Sequence, residues 1–373
     1  MKSPLKKALI GTSMLLYSIL LSSCESETLD VNTLSESAET NDISIVSDSE
    51  GLWPNNTITY TYDPNFTNRT DFEAAVHHWE LFTTLKFVET TNPVDTDLIV
   101  LRSSSGFCSS TVGFRGNLAH SNSVSISNSC EVDEIIHELG HVAGMYHEHN
   151  RNDRDEHVIV NFDNIQEAAH FQFTKNEDKG NNSLEFGPFD FDSIMLYPSD
   201  LFALNPSAPS MVRTNGSSFE RSTVLSEYDI IGIESVYRDG SPKTIAISAL
   251  INGGKYFSSE NGRKEITTTR TAIGSWERFT VHPIGGGLIA LQGNNRKFLS
   301  VDDSGALKFS ARRIGDRETF KFIYNTTLNG KLYYNISHED FSDLYVNDFT
   351  NEIRIDNSGG GGQDSLFSVE ILN

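Results

Sequence analysis

His137-Glu138-Leu139-Gly140-His141-Val142-Ala143-Gly144-Met145-Tyr146-His147-Glu148 is the stretch from which the rest of the chain can be read. On a helix, His137 and His141 lie one above the other on the same face, where two imidazoles can reach one metal ion. Glu138 sits one step around, beside the metal's open side, placed to take a proton from water. Gly144 tolerates a positive φ, so it can end the helix and turn the chain back, delivering His147 as a third ligand. Three neutral imidazoles, an open fourth position and an adjacent carboxylate predict a hydrolytic centre built on one Zn2+ ion. A bare HExxH is weak evidence, because chance matches are common. The added Gly and third His at fixed offsets leave a purely structural helix as a poor competitor. Further on lies a second short stretch, Ser193-Ile194-Met195-Leu196-Tyr197-Pro198.

Outward from this core, 373 residues leave room for two or three domains. A net charge of −22 argues against a nucleic-acid partner and describes a solvated acidic surface. Residues 1–23 have the form of an export signal: Lys2, Lys6 and Lys7 precede an apolar run from Ala8 to Leu21, too short to span a bilayer comfortably. The run ends in Leu21-Ser22-Ser23-Cys24, which resembles a bacterial lipobox. That resemblance implies a lipid on Cys24 that tethers the protein to a membrane without spanning it. An ordinary signal with a chance cysteine is the competing reading. Residues 24–50 carry eight acidic residues and no Lys or Arg, a composition that reads as a flexible tether or a short pro-segment. The expected location is outside the cytoplasm: an outer-membrane lipoprotein facing the surface or the periplasm, or a released protein.

A compact domain is expected over residues 51–240. Thr57 to Tyr62 alternates as a strand, and Phe72 to Leu81 has helical spacing with Thr70 or Asp71 as N-cap. Phe87-Val88, Leu98 to Leu101 and Ser123 to Ser127 read as further strands, the last at an edge. The zinc helix is expected from Val132 to Met145, and a final helix from Ser226 to Tyr237 with Ile230, Ile231, Ile233 and Val236 inward. His77 and His78 read as packing or surface residues, while His149 and His157 read as supports of the site or solvated groups. Cys108 and Cys130 are the pair left after Cys24, and in an exported chain they predict one disulfide, contributing on the order of 3 kcal/mol.

The elongated histidine motif followed by the Ser193 to Pro198 stretch resembles the metzincin signature, which implies a Met-turn in which Met195 forms an apolar floor under the metal. From Trp53 to about Arg238 the chain resembles the astacin family of zinc endopeptidases. The resemblance is carried by Leu52-Trp53-Pro54-Asn55, by Glu148 directly after His147, by His149-Asn150-Arg151-Asn152-Asp153-Arg154-Asp155, and by Tyr197 two residues after Met195. It implies an α+β fold with a twisted mixed sheet and a zinc helix. In the reaction it implies, Glu138 is general base for water at a zinc held by His137, His141 and His147, and Tyr197 leaves the metal to hydrogen-bond the oxyanion. It also implies that Cys108 and Cys130 bracket the substrate's edge strand, and that Glu148 pairs with a new amino terminus after a cut near Gly51. Two departures stand out. Leu196 occupies a position that is usually His, and a second disulfide is missing, as in bacterial, flavastacin-like members.

Beyond a turn-rich seam at 238–242, residues 243–373 show three weak repeats. Tyr256, Phe298 and Tyr345 recur at intervals of 42 and 47 residues, and the closing Phe279, Phe320 and Phe367 at 41 and 47. The pattern resembles an all-β, fascin-like β-trefoil, whose repeat aromatics are expected in the core. The resemblance implies attachment to a glycan or protein substrate. The expected function is therefore an exported zinc endopeptidase acting on proteins or peptides. The alternative is a lipid-anchored adhesin whose peptidase domain is only a scaffold.

Overall fold

In a computed structural model, residues 44–46, 51–91, 99–104, 106–116, 122–181, 183–237, 242–339, 341–347, 350–355 and 363–372 are described. The export signal, Cys24, most of the acidic segment and the seam up to residue 241 lie outside them.

Strand β1 (Ile45–Val46) falls inside the stretch expected to be a free tether. The stretch is polar overall, but Ile45 is fully buried and Val46 packs beside it against the core, and these apolar side chains dock the segment. Its backbone lies along the turn after the zinc helix: Val46 N–H donates to Gly144 O at 3.0 Å, and Tyr146 N–H donates to Ser44 O at 2.8 Å.

The next strands build one sheet: β2 (Thr57–Tyr62), β3 (Lys86–Glu89), β4 (Ile99–Ser104), β5 (Ser109–Ser110) and β6 (Ser123–Ser127). Their order is β3-β2-β4-β6-β5, all neighbours parallel except β5 against β6. The expected edge strand β6 is thus covered by the two-residue β5, which becomes the edge. Helix α1 (Arg69–Phe82) buries Phe72, Ala75, Val76, Trp79 and Phe82, the helical spacing expected. Its N-cap is Asn68 rather than Thr70 or Asp71. The Asn68 amide donates to Ser127 O and Cys130 O, both at 3.3 Å, so a long-range anchor sets the start and Asp71 falls in the first turn.

Helix α2 (Val132–Val142) packs on α1, with Trp79 Nε1 donating to Ile136 O at 3.0 Å. It stops before Met145 because Gly144 takes φ +104°. Trp53 Nε1 donates to Val142 O, and the Tyr237 hydroxyl donates to Ala143 O, which satisfies carbonyls the helix end leaves open. Short pairs follow: β7 (Val158–Val160) with β9 (Met211–Arg213), and β8 (Ser183–Leu184) with β1. Helix α3 (Glu227–Val236) closes this half, with Ser226 as N-cap and Ile230 and Ile233 buried.

The C-terminal half is all-β. Its strands are β10 (Thr244–Ala249), β11 (Lys255–Ser258), β12 (Thr267–Arg270), β13 (Phe279–Gly285), β14 (Leu288–Gln292), β15 (Phe298–Val301), β16 (Leu307–Ala311), β17 (Phe320–Leu328), β18 (Lys331–His338), β19 (Phe341–Val346), β20 (Ile353–Ile355) and β21 (Phe367–Ile371). Six of them close a barrel-like ring, β10-β13-β14-β17-β18-β21 and back to β10. The other six pair as β11-β12, β15-β16 and β19-β20, one hairpin per sequence repeat. Phe279, Phe320 and Phe367 are fully buried, as the repeats require. Tyr256 and Tyr345 are only half-buried; the next residues, Phe257 and Val346, fill the core instead, because side chains alternate along a strand.

The two halves interlock. His77 on α1 bonds Val369 O at 3.0 Å and the Tyr334 hydroxyl at 2.6 Å. Gly285, at φ +101°, passes so close to α3 that a Cβ there would lie 2.3 Å from Glu227 Cα.

Candidate metal centre

Helix α2 presents His137 and His141 on one face, and the turn at Gly144 returns His147 beside them. Each helical imidazole is aimed by its outer nitrogen, His137 Nδ1 on Ile194 O and His141 Nδ1 on Met145 O, both at 2.8 Å. Their Nε2 atoms stand 3.2 and 3.0 Å from His147 Nε2. Three ligands at about 2.1 Å around a tetrahedral Zn2+ would be about 3.4 Å apart, so the three nitrogens fit such an ion. Burial keeps the imidazoles in the neutral, ligating form, with His137 pushed down to about 4 and His141 to about 3.

Glu138 faces the same cleft, a cavity of about 680 Å³ that is also lined by Ser109, Ser110, Tyr197, Pro198, Leu201 and Phe202. Burial pushes its carboxyl up to about 7, against the pull of a hydrogen bond from Ser110. A carboxyl poised there can accept a proton from water and give it up again.

The Met-turn lies beneath. Met195 is fully buried, and its Sδ would be 2.5 Å from a Cβ at Gly140, so the glycine makes room for it. Tyr197 stands over the site with its ring 4.3 Å from that of His147. Leu196, where the family usually has His, is buried with Val158, Phe189, Met211 and Phe219. Apolar packing explains that departure.

Cys108 and Cys130 are joined, as expected, and tie the start of β5 to the start of α2. Glu148 is fully buried. Its Oε1 accepts from Asp190 N–H at 2.8 Å and lies 3.5 Å from Arg151, while Oε2 has no partner among the described residues. Burial pushes this carboxyl up to about 8, with Arg151 pulling the other way.

Three residues shape the site from outside the ligand set: His149, expected as a support or a solvated group, and two that had no sequence signal of their own. His149 is fully buried, stacked on His147 with rings 5.1 Å apart and 4.3 Å from Tyr197. Asp229 on α3 accepts from Ser193 Oγ at 2.7 Å and Ile194 N–H at 2.9 Å, pinning the Met-turn. The helix start was expected at Ser226, and the capping pattern Ser226-Glu227-Tyr228-Asp229 agrees with it, but nothing local announces the second duty of its aspartate. Ser110 is the third. His157 instead stacks on Phe189, and His78 accepts from Leu225 N–H at 3.4 Å, so neither joins the centre.

A parallel-rich sheet, a helix carrying two of three convergent imidazoles, and a carboxyl in the same cleft define a mononuclear metallohydrolase of the three-histidine class. The chain belongs to the astacin family: the family model of the astacin peptidases matches residues 45–238, just over half the chain. Enzymes of that family use a catalytic zinc. Mouse Tolloid-like protein 1 is 37% identical over 216 residues, 55% of this chain and 21% of its own length. Astacin-like metalloprotease toxin 1 of Loxosceles intermedia is 34% identical over 199 residues, 50% of this chain and 71% of its own. Among solved structures, high choriolytic enzyme 1 of medaka, a hatching enzyme zinc-protease, is 28% identical and covers 53% of this chain and 98% of its own, at a TM-score of 0.45. The chain thus spans about a fifth of the tolloid-like relatives it matches.

Proposed function

We propose that this chain is an exported zinc endopeptidase that hydrolyses internal bonds of proteins or peptides. The observation that carries the reading is the convergence of three Nε2 atoms beside Glu138 in one open cleft. His137, His141 and His147 hold one zinc ion. When bound, the ion supplies Lewis acidity and makes water a usable nucleophile at neutral pH. Glu138 takes the proton of the attacking water and returns it to the departing amine. The Tyr197 phenol, kept protonated by burial, donates to the oxyanion as it forms. Met195 is a packing residue under the imidazoles.

The substrate backbone lies extended along the open edge of β5, as an added strand. The cleft gives little support to an acidic substrate side chain, because its Arg221 is already paired with Asp133 and Glu134. Pro198, Leu201 and Phe202 favour an apolar side chain instead. Cleavage of a peptide library by the purified protein tests both points at once. Cleavage that ignores a chelator and the Glu138→Ala change would refute the mechanism. Glycan or protein capture by the barrel with no hydrolysis of any peptide would favour the adhesin.

Maturation, in this reading, cuts ahead of Ser44 rather than near Gly51, because a cut at Gly51 would strip away β1 with its buried Ile45. The orphaned Glu148 Oε2 suits a new amino terminus. The C-terminal barrel, read as a β-trefoil, attaches the enzyme to a glycan or protein substrate, and a lipid on Cys24 anchors it at the bacterial outer membrane. Cys24→Ser is expected to move the protein into the soluble fraction.

A further inference from the structure

Ser110 is the last residue of the two-residue edge strand β5, which pairs with β6 through Ser109 opposite Ser125 and Ser110 opposite Val124. Side chains two apart in extended backbone share a face, so Cys108 and Ser110 both turn toward α2. Cys108 is joined to Cys130 just ahead of that helix. Two residues on, Ser110 Oγ stands 2.6 Å from Glu138 Oε2 and 2.9 Å from Glu138 O. Among the described residues, Ser110 is the hydrogen-bond partner of this carboxylate. The strand is therefore fastened to the helix twice, once by a covalent bond and once through the side chain proposed as the base.

We propose that Ser110 is a positioning residue that registers Glu138 to the strand on which the substrate lies. This rests on the reading of Glu138 as the base. A glutamate at an open cleft has several staggered rotamers within reach, and a hydroxyl held by strand backbone selects one. The main chain of the same residue forms part of the edge that an extended substrate would pair with. A shift of the substrate strand and a shift of the carboxylate are thereby coupled through one residue. Reacting groups misplaced by about an ångström lose up to about a hundredfold in rate, which sets the scale of the effect.

The test compares the full-length wild type with Ser110→Ala, Ser110→Thr and Glu138→Ala. Zinc content and thermal unfolding are measured alongside kcat and KM on one peptide. Ser110→Ala is expected to lower kcat by about tenfold to a hundredfold, with KM within about twofold of wild type and zinc content and Tm retained. Ser110→Thr, which keeps the hydroxyl, should recover most of the loss. The proposal is overturned if Ser110→Ala keeps wild-type kcat, if its loss comes with zinc release or a lowered Tm, or if Ser110→Thr fails to recover. If Glu138→Ala retains turnover, the assignment of the base fails; if it is inactive while Ser110→Ala is normal, only the role of Ser110 falls.

Discussion

At Gly140 the zinc helix has no room for a side chain, since a Cβ there would meet Met195 Sδ at 2.5 Å and Trp79 Cζ2 at 3.5 Å. The glycine lets the Met-turn press directly against the helix between its two histidines. Gly140→Ala must displace one or the other, and overpacking of this kind costs about 1–3 kcal/mol. Thermal unfolding should show a lowered Tm, and dialysis against a weak chelator should strip zinc sooner than from wild type. Unchanged values would mean that the turn yields without cost. Residues of this kind divide sharply in how they can be read. His137, Glu138, His141 and His147 are legible because binding one ion demands fixed offsets along a short helix and the turn that follows it. Ser110 meets Glu138 across 28 residues and Asp229 meets Ile194 across 35. No local pattern encodes those pairs.

Among the elements, α3 acts as the clasp of the Met-turn. Asp229 accepts from Ser193 Oγ, from Ile194 N–H and from Ser226 N–H, all inside the core. Asp229→Ala leaves these donors without an acceptor, at about 1–3 kcal/mol for a buried orphan. Because Ile194 O also receives His137 Nδ1, zinc affinity should fall with stability. Isothermal titration of the zinc-free variant, set beside its melting curve, checks this; lost stability with full affinity would show that the turn holds itself. Most elements were legible from periodicity, β2 and β6 to the residue. Other features were not, and three of them have a long-range reason: Asn68 caps α1 because it is tied to the β6–α2 turn, β5 covers the expected edge, and β1 docks through Ile45. Local propensity carries no record of such contacts.

For the whole molecule, the contact between the halves makes stability depend on pH. His77 lies between α1 and the barrel, its Nε2 on Val369 O and its Nδ1 on the Tyr334 hydroxyl. Burial lowers His77 to about 4 and its neighbour His78 to about 3. Both groups are neutral in the folded and unfolded chain above about pH 6.5. Below that value the unfolded chain binds protons first, so stability is lost as pH falls from 6.5 toward 4. Calorimetry across that range should show Tm dropping with pH, and His77→Gln should flatten the slope. Tyr334→Phe, which removes a hydrogen bond at this contact, should cost about 1 kcal/mol. A Tm that is flat between pH 7 and 5 would contradict this account of the contact. The three-repeat rhythm made the barrel legible in outline, whereas its docking on α1 and α3 was not, since His77 and Gly285 meet partners far along the chain. The central claim is that the three histidines and Glu138 form a hydrolytic centre. The most direct measurement is turnover of one internally quenched peptide by zinc-loaded wild type and Glu138→Ala, with metal content determined on the same samples. The account predicts one zinc per chain in both proteins and a rate at least about a hundredfold lower in the variant. Equal rates at equal zinc content would contradict it.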